Sequence, residues 1–342
     1  MALVSNGRSR RRRGPGRGRR AVWSRGGAKG NGVDEILLRR LTQVMFGTRS
    51  PRFDGGMPLH EGRSAMPLKD ILVHVELNAE SDRRLKAAMS LAQAHGAHMV
   101  GLYVVPRPYI PAYAEVQISA DVMEAQREAA KEGAERAETA FKAAAGGSGL
   151  SVEWRAQEGD MGRVLAFHSR YADLTVVSQP NPDHSLFPGD RDLPDRLILT
   201  AGRPVLVLPF EYSGDLAGKR ILVAWDESPL ASRAVHDALP LLQSADKVVV
   251  MVANPAQVPD EKRVPGADIA AHLARHGVTV EADHVTSDEV DVGNLLLSRA
   301  ADMSADMMVM GGYGHARWSE LILGGVTNAV LSNQTVPVVL SH

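Results

Sequence analysis

From residue 66 onwards, short apolar runs alternate with longer segments in which apolar residues recur every three or four positions. Short apolar runs bounded by turn residues predict buried strands, and the longer periodic segments predict helices. In the first half of this region the expected strands are Asp70–Glu76, His98–Val105, Ser151–Gln157, Leu174–Ser178 and Val205–Leu208. The expected helices are Asp82–His95, Ser119–Ala145, Met161–Tyr171 and Arg191–Thr200.

The second half shows the same alternation. Its expected strands are Arg220–Trp225, Lys247–Ala253, Thr279–His284, Met307–Met310 and Val336–Leu340. Its expected helices are Leu230–Gln243, Asp268–His276, Val292–Met303 and Ser319–Ser332. Strands that alternate with helices are typical of an α/β protein, in which a parallel sheet is covered by helices on both faces.

The two halves are related by an internal repeat. Asp70-Ile71-Leu72-Val73 matches Arg220-Ile221-Leu222-Val223 at an offset of 220 − 70 = 150 residues, whereas Pro204 matches Pro337 at an offset of 337 − 204 = 133. A single insertion in the first copy, between Pro106 and Ser151, accounts for the change of offset. The sequence therefore predicts two copies of one domain, each built on a five-stranded parallel sheet.

Candidate chemistry is concentrated near the carboxyl ends of the strands in the second copy, where parallel sheets bind their ligands. Gly311 and Gly314 follow the fourth strand, and we expect them to allow positive φ and a close approach of a ligand. The last helix is preceded by Gly324 and Gly325, and the N–H groups of such a helix start favour an anion. Further candidates are Arg317 for charge, Thr327 for its hydroxyl and Asp226, at the end of the first strand, for accepting from a ribose hydroxyl or an adenine amine. Alternatively, the glycines only shape a turn and Asp226 caps the helix entered at Ser228-Pro229.

The spacing Gly311-x2-Gly314-x9-Gly324, the strand end Val223-Ala224-Trp225-Asp226 and the final strand at Pro337 resemble the universal stress protein family. The resemblance covers the whole second copy and, more faintly, the first. It implies two Rossmann-like domains of the adenine-nucleotide α-hydrolase-like kind, with ATP and Mg as the cofactor of the second. It also implies that Asp226 contacts the adenosine, that Gly311, Gly314 and Gly324 lie along the phosphates, and that Val252 belongs to the cofactor-binding residues.

Two departures from the family pattern keep a second function open. Gly325 stands where the pattern usually has Ser or Thr, so one hydroxyl contact to a phosphate is missing. In the first copy no aspartate stands at the position of Asp226, and prolines interrupt the loop after Leu174–Ser178, so we expect that loop not to bind nucleotide. The chain is therefore expected to be either an ATP-binding stress-response regulator or a nucleotide-free interaction or chaperone-like scaffold with a vestigial site.

Enzymatic chemistry has little support. The GxxxxGK[ST] and GxSxG motifs are absent, and the histidines lack the spacing of a metal site. We therefore expect no enzyme, although slow ATP hydrolysis stays compatible with the sequence. The chain contains no cysteine, which suits the reducing cytoplasm. No apolar run reaches the roughly 20 residues that a membrane helix needs.

Partners follow from the repeat. In the resembled family the final strands pair across a dimer, so we expect Val205–Leu208 to pair with Val336–Leu340 within this one chain as a pseudo-dimer. A homodimer of the chain and unidentified protein partners remain open. The expected domains are residues 66–212, with the degenerate loop, and residues 217–342, with the glycine motif.

Residues 1–65 differ in composition from the rest of the chain. They contain 15 Lys and Arg and 4 Asp and Glu, for a net charge of +11, against −12 for the remainder. We expect this Arg/Gly-rich head to be disordered, with a short amphipathic helix possible at Val33–Phe46. Three interpretations of this head are open. It could be a nucleic-acid arm or a targeting segment. Alternatively, it is no functional part of the protein, because the start site is assigned too far upstream.

We favour the last of these, because Met66 directly precedes the first strand. Mass spectrometry of the natively expressed protein should then find its N-terminus at Met66 or Pro67. An N-terminus upstream of Met66 would contradict this expectation and leave the nucleic-acid and targeting interpretations.

Overall fold

The computed structural model describes residues 66–106, 119–181, 192–255, 264–287, 289–314 and 325–342. Residues 1–65, with the expected Val33–Phe46 helix, lie outside the described residues. Within the described part, no helix is both long enough and apolar enough to cross a membrane.

The elements of the first half alternate as the sequence predicts, with β1 the first strand and α1 the first helix. In chain order they are β1 Asp70–Val75, α1 Ala79–His95, β2 His98–Pro106, α2 Ala120–Ala145, β3 Val152–Gly159, α3 Met161–Ser169, β4 Leu174–Ser178, α4 Leu193–Ala201 and β5 Val205–Leu208.

The second half follows the same order. Its elements are β6 Arg220–Ala224, α5 Pro229–Asp237, α6 Leu239–Ser244, β7 Lys247–Ala253, α7 Ala267–Arg275, β8 Val280–Val285, α8 Val292–Asp302, β9 Met307–Gly311, α9 Gly325–Asn333 and β10 Val338–Ser341. Helix α2 has 26 residues and its counterpart α7 has 9, which agrees with an insertion in the first copy between β2 and β3.

One expected helix, Leu230–Gln243, is two helices in the structure. Helix α5 ends at Asp237 and α6 begins at Leu239. Ala238 between them is both the C-cap of α5 and the N-cap of α6. Pro240 explains the break, because proline has no N–H to donate into the preceding turn and its ring collides with the carbonyl four residues earlier. The first six residues expected for the last helix, 319–324, lie outside the described residues.

Side-chain caps begin several helices where the sequence carries Asn, Ser or Asp. The Asp160 carboxylate accepts from the Arg163 N–H at 2.9 Å, and the Asp291 carboxylate accepts from the Gly293 N–H at 2.9 Å. These contacts satisfy N–H groups that have no partner within the helix. Both aspartates are therefore helix caps.

The strands form one ten-stranded sheet in the order β3-β2-β1-β4-β5-β10-β9-β6-β7-β8. Neighbouring strands are parallel within each half, whereas β5 and β10 are antiparallel, with Val205 opposite Leu340 and Val207 opposite Val338. The expected pairing of the two final strands is thus confirmed. In each half the strand order reverses at the first strand, which leaves a cleft between β1 and β4 and another between β6 and β9.

The core consists of two apolar layers, one on each face of the sheet. Alternate residues of a strand enter different layers, as Ile71 and Leu72 do in β1 and Ile221 and Leu222 do in β6. Each layer contains residues of both halves. The two repeats therefore share a continuous core.

A buried polar cluster interrupts this core at the end of β1. The side chains of His74 and Arg84 are both 2% exposed, and Glu76 beside them is 35% exposed. The Arg84 guanidinium donates to the His74 carbonyl at 2.7 Å, to Ser178 Oγ at 3.0 Å and to Glu76 Oε2 at 2.8 Å. Arg84 thereby connects the ends of β1 and β4.

Burial lowers the pKa of His74 to about 4 and outweighs the raising effect of Glu76. Burial alone would raise the pKa of Glu76, but the charges of His74 and Arg84 lower it to about 2. His74 is therefore neutral and Glu76 is ionised at neutral pH, so the ion pair of the cluster is the one between Arg84 and Glu76.

The lowered pKa of His74 predicts that the folded protein loses stability as the pH falls. The unfolded chain binds the His74 proton near pH 6.5 and the folded chain only near pH 4, so the stability from neutral His74 is lost as the pH falls through that window. We expect the free energy of unfolding to depend less on pH in His74→Gln than in wild type, by up to about 1.4 kcal/mol per pH unit.

Urea unfolding at several pH values between 7 and 4.5 measures this, because the Glu76 carboxylate stays ionised there. His284→Gln is the control, since the His284 side chain is exposed, and it should keep the wild-type dependence. An unchanged slope in His74→Gln would show that His74 is protonated at the same pH in both states.

Candidate functional site

The second half contains a cavity of about 280 Å³ at the carboxyl ends of β6 and β9. It lies at the reversal of strand order, which is where open parallel sheets bind ligands. Strand ends, the start of α5, and the first turns of α8 and α9 line it. The lining residues are Ala224, Trp225, Asp226, Ser228, Leu230, Ala231, Ala253, Val292, Leu296, Met310, Gly311, Gly314, Gly325, Val326 and Thr327.

Asp226 lies at this cavity but does not cap the helix. Ser228 is the cap of α5, since its Oγ accepts from the Ala231 N–H at 3.1 Å. Asp226 Oδ1 accepts from the Ser228 N–H at 3.0 Å and closes the tight turn that leads into the helix. The Asp226 side chain is exposed at the rim, where its carboxylate can also accept from a ligand.

Gly311, the last residue of β9, has a different role from the expected positive φ. Neither Gly311 nor Gly314 has a positive φ; Tyr313 between them does, at 61°. A Cβ on Gly311 would lie 2.7 Å from the Leu230 carbonyl carbon, so this glycine is required by the packing of β9 against α5. At Gly314 the nearest atom of the described residues would be Leu230 Cδ1 at 3.7 Å, an ordinary contact, and Gly314 lines the cavity.

The first turn of α9 completes the cavity. Thr327 is 4% exposed, and its Oγ1 accepts from the Tyr313 N–H at 3.1 Å. The hydroxyl expected at a phosphate therefore also holds the glycine loop against α9. Gly325 is exposed, and a Cβ there would meet no atom of the described residues within 4 Å.

The charges at the cavity are divided between its two sides. Among the described lining residues, Asp226 is the only one with an ionisable side chain. The opposite side is the first described turn of α9, and the N–H groups at the start of a helix carry partial positive charge. This arrangement suits a ligand with hydrogen-bond donors at one end and an anionic group at the other.

One expected site residue, Val252, is not among the described residues that line the cavity. Val252 is buried in the core and its neighbour Ala253 lines the cavity instead, because alternate residues of β7 face opposite sides of the sheet. Arg317 and Gly324 lie outside the described residues.

Sequence reasoning missed the apolar part of the site. Val292 and Leu296 face the cavity from the first turns of α8, one helical turn apart. Their four-residue spacing directly after the cap Asp291 was the available signal. It also missed Tyr313, which has no recognisable motif.

The first half has a larger cleft, of about 500 Å³, in the equivalent position. Glu76 stands at the position of Asp226, Ser178 at that of Gly311 and Pro194 at that of Thr327. Arg84, which stands at the position of Ala234, crosses the floor of this cleft through its contacts with both strand ends. The proline-containing segment 182–191 lies outside the described residues. Within the described residues, the first cleft therefore lacks the aspartate and the glycine of the second cavity and contains the Arg84–Glu76 ion pair instead.

Comparison with known proteins bears on both halves. The universal stress protein family model matches residues 67–208 and 218–342. A universal stress protein from Archaeoglobus fulgidus has a TM-score of 0.59 and 17% identity, with 80% of this chain and 95% of that chain covered. A functionally unknown protein from Pseudomonas aeruginosa has a TM-score of 0.49 and 17% identity, with coverages of 81% and 93%.

A universal stress protein solved in complex with cAMP has a TM-score of 0.32 and 19% identity, and covers 44% of this chain and 100% of its own. No curated protein matches the chain significantly. The Archaeoglobus fulgidus structure supports the same fold, and the two family matches together span most of the sequence. This chain belongs to the universal stress protein family and carries the family's domain twice in tandem.

Proposed function

We propose that the protein is a stress-response regulator that binds ATP, with Mg, in its C-terminal domain and acts in the cytoplasm without efficient catalysis. One observation carries the proposal: a single cavity is lined by the Asp226 carboxylate, the backbone of Gly311 and Gly314, and the first turn of α9 with Gly325 and Thr327. These are five of the eight residues that the sequence predicted for a nucleotide site.

The division of charge at the cavity favours one orientation of the ligand. The adenosine end lies at Asp226, whose carboxylate accepts from a ribose hydroxyl or an adenine amine. The phosphates lie at α9, where N–H groups and the helix dipole favour negative charge. The cavity volume of about 280 Å³ is at the lower end for small-molecule sites, so the phosphates extend towards the exposed Gly325.

The described lining residues offer no pair of groups for catalysis. General acid–base or nucleophilic chemistry needs a base within hydrogen-bond reach of the proton that it removes. Asp226 is the one ionisable residue of the described lining, and it already accepts from Ser228. The proposal is therefore binding, with ATP turnover no faster than slow hydrolysis.

A second candidate function is a nucleotide-free scaffold. Two observations favour it: Thr327 Oγ1 already has the Tyr313 N–H as a partner, and Gly311 is explained by packing alone. In that case the glycine motif persists because the fold needs it, and the protein acts through its surfaces on other proteins.

Ligand-dependent stability separates the two functions. Wild-type protein should gain thermal stability with millimolar Mg-ATP, because a ligand that binds only the folded state stabilises it by about 2.7 kcal/mol at 100 times its Kd. Isothermal titration calorimetry with ATP, cAMP and GTP then gives the affinities. We expect ATP to bind most tightly.

Asp226→Asn is the sharper variant of this experiment. Its side-chain oxygen keeps the turn contact with the Ser228 N–H, whereas the amide nitrogen removes an acceptor for the ligand. We expect its affinity for ATP to fall by roughly tenfold, as for one lost hydrogen bond. Asp302→Asn, an exposed carboxylate at the far end of α8, should bind as wild type does. No thermal shift in wild type at millimolar ATP would support the scaffold instead.

A second prediction concerns the effect of a hydroxyl at position 325 on the affinity for ATP. A Cβ there has no described atom within 4 Å, so Gly325→Ser should place a hydroxyl beside the proposed phosphate position without a clash with the described residues. The affinity for ATP should rise by about three- to tenfold, and the affinity for adenosine should not change, because adenosine has no phosphate.

Gly325→Ala is the matched control, since it adds a Cβ and helix propensity without the hydroxyl. An equal gain in the alanine variant would show that the hydroxyl is not responsible. An equal gain for adenosine would show that the phosphates do not lie at α9.

A further inference from the structure

The loop after β9 contacts the first half of the chain through the two residues between Gly311 and Gly314. The Tyr313 side chain is 2% exposed, and its hydroxyl donates to the carboxylate of Asp195, in the first turn of α4. A Cβ on Gly312 would lie 2.9 Å from Ile198 Cγ2, one turn further along α4. A helix of the first repeat is thus packed directly against the proposed nucleotide loop of the second.

Tyr313 is held in an unfavourable backbone conformation. Its φ of 61° lies in the left-handed region, which costs a residue other than glycine about 1 kcal/mol or more. Its N–H donates to Thr327 Oγ1, and the N–H of Gly312 donates to the Ser341 carbonyl at 2.9 Å. The loop is therefore fixed by α9 and β10 in its own half and by α4 in the other.

The electrostatics of the Tyr313–Asp195 contact define its donor and acceptor. Burial, together with the hydrogen bond to Asp195, raises the pKa of Tyr313, so the phenol stays protonated and donates. Burial raises the pKa of Asp195, and the hydrogen bond from Tyr313 opposes that rise. Loss of Asp195 would leave the buried Tyr313 hydroxyl without this hydrogen bond, and loss of the hydroxyl would leave the partly buried Asp195 carboxylate without it; both are costly.

We propose that Asp195 of the first domain is a positioning residue for the nucleotide site of the second domain and acts through Tyr313. The inference rests on the proposed ATP binding at that site. Tyr313 lies between the two glycines whose backbone borders the cavity, so its conformation sets the direction in which the Gly314 backbone faces. All described residues that line this cavity belong to the second domain. The first domain therefore contributes to the site only indirectly, through Asp195.

The path of α4 explains how one helix reaches this loop. The strands of the two halves run in opposite directions, so their clefts open at opposite edges of the sheet. Leu193, at the start of α4, lines the first cleft, whereas Asp195 and Ile198 contact the loop of the second. ATP bound in the second domain should therefore stabilise α4 as well.

A double-mutant cycle on ATP affinity tests the inference in the full-length protein. Tyr313→Phe keeps the ring and its packing and removes only the hydroxyl, and Asp195→Ala removes the acceptor. We expect each to weaken ATP binding by about tenfold, and the double variant also by about tenfold, because both remove the same interaction. Asp195→Asn keeps an amide oxygen as acceptor and should bind within about threefold of wild type.

Leu199→Ala, on the exposed side of α4, is the matched control and should bind ATP as wild type does. Hydrogen exchange provides a readout that a purely structural role of Asp195 would not change. ATP should slow amide exchange in residues 193–201 of wild type but not of Tyr313→Phe. The reason is that coupling between two sites is reciprocal. Tyr313→Phe preserves the core, so the test stands even where Asp195→Ala fails to fold.

Three outcomes would overturn the inference. If Tyr313→Phe binds ATP as tightly as wild type does, Asp195 has no positioning role, although the proposed ATP binding still holds. A hundredfold loss in the double variant would show that the two residues act independently. Absence of ATP binding in wild type would overturn the proposed function itself, and the positioning role with it.

Discussion

The antiparallel pairing of β5 with β10 is the interaction on which the rest of the structure depends. Both strands are four residues long and entirely buried. Left unpaired, each would be an apolar edge with free N–H and C=O groups, which favours aggregation. Paired, they turn two half-sheets into one sheet and let both core layers pass from one repeat into the other. The same pairing brings α4 of the first half against the loop after β9 of the second.

The two repeats have diverged at their clefts while keeping a common frame. In the second, Ala234 of α5 is a small buried core residue, and the cavity at the ends of β6 and β9 has a carboxylate on one side and the first described turn of α9 on the other. In the first, Arg84 stands in place of that alanine and ties the ends of β1 and β4 together through buried hydrogen bonds. A buried guanidinium needs its acceptors in place, so these polar groups depend on one another. This mutual dependence fits a structural role for the first cleft, in contrast to the ligand-binding role proposed for the second.

Much of the fold was accessible from sequence, because strands, helix caps and repeats are encoded locally. The five strands of each half and the caps at Asp160 and Asp291 follow from periodicity and residue type. The split at Pro240 was equally local and was overlooked. Of the expected site residues, Asp226, Gly311, Gly314, Gly325 and Thr327 meet at one cavity, but the reason for Gly311 was wrong. Its need for glycine arises from α5, a segment about 80 residues away in the chain.

The amino-acid sequence by itself determined the α/β class, the duplication and the family, since these depend on patterns along the chain. Only the tertiary structure decided which side chains share a site. In the structure Val252 lies in the core, the Thr327 hydroxyl accepts from the Tyr313 N–H, and the Tyr313 hydroxyl donates to Asp195. Such contacts depend on how strands and helices from distant segments are oriented in three dimensions, and no local pattern of residues records that.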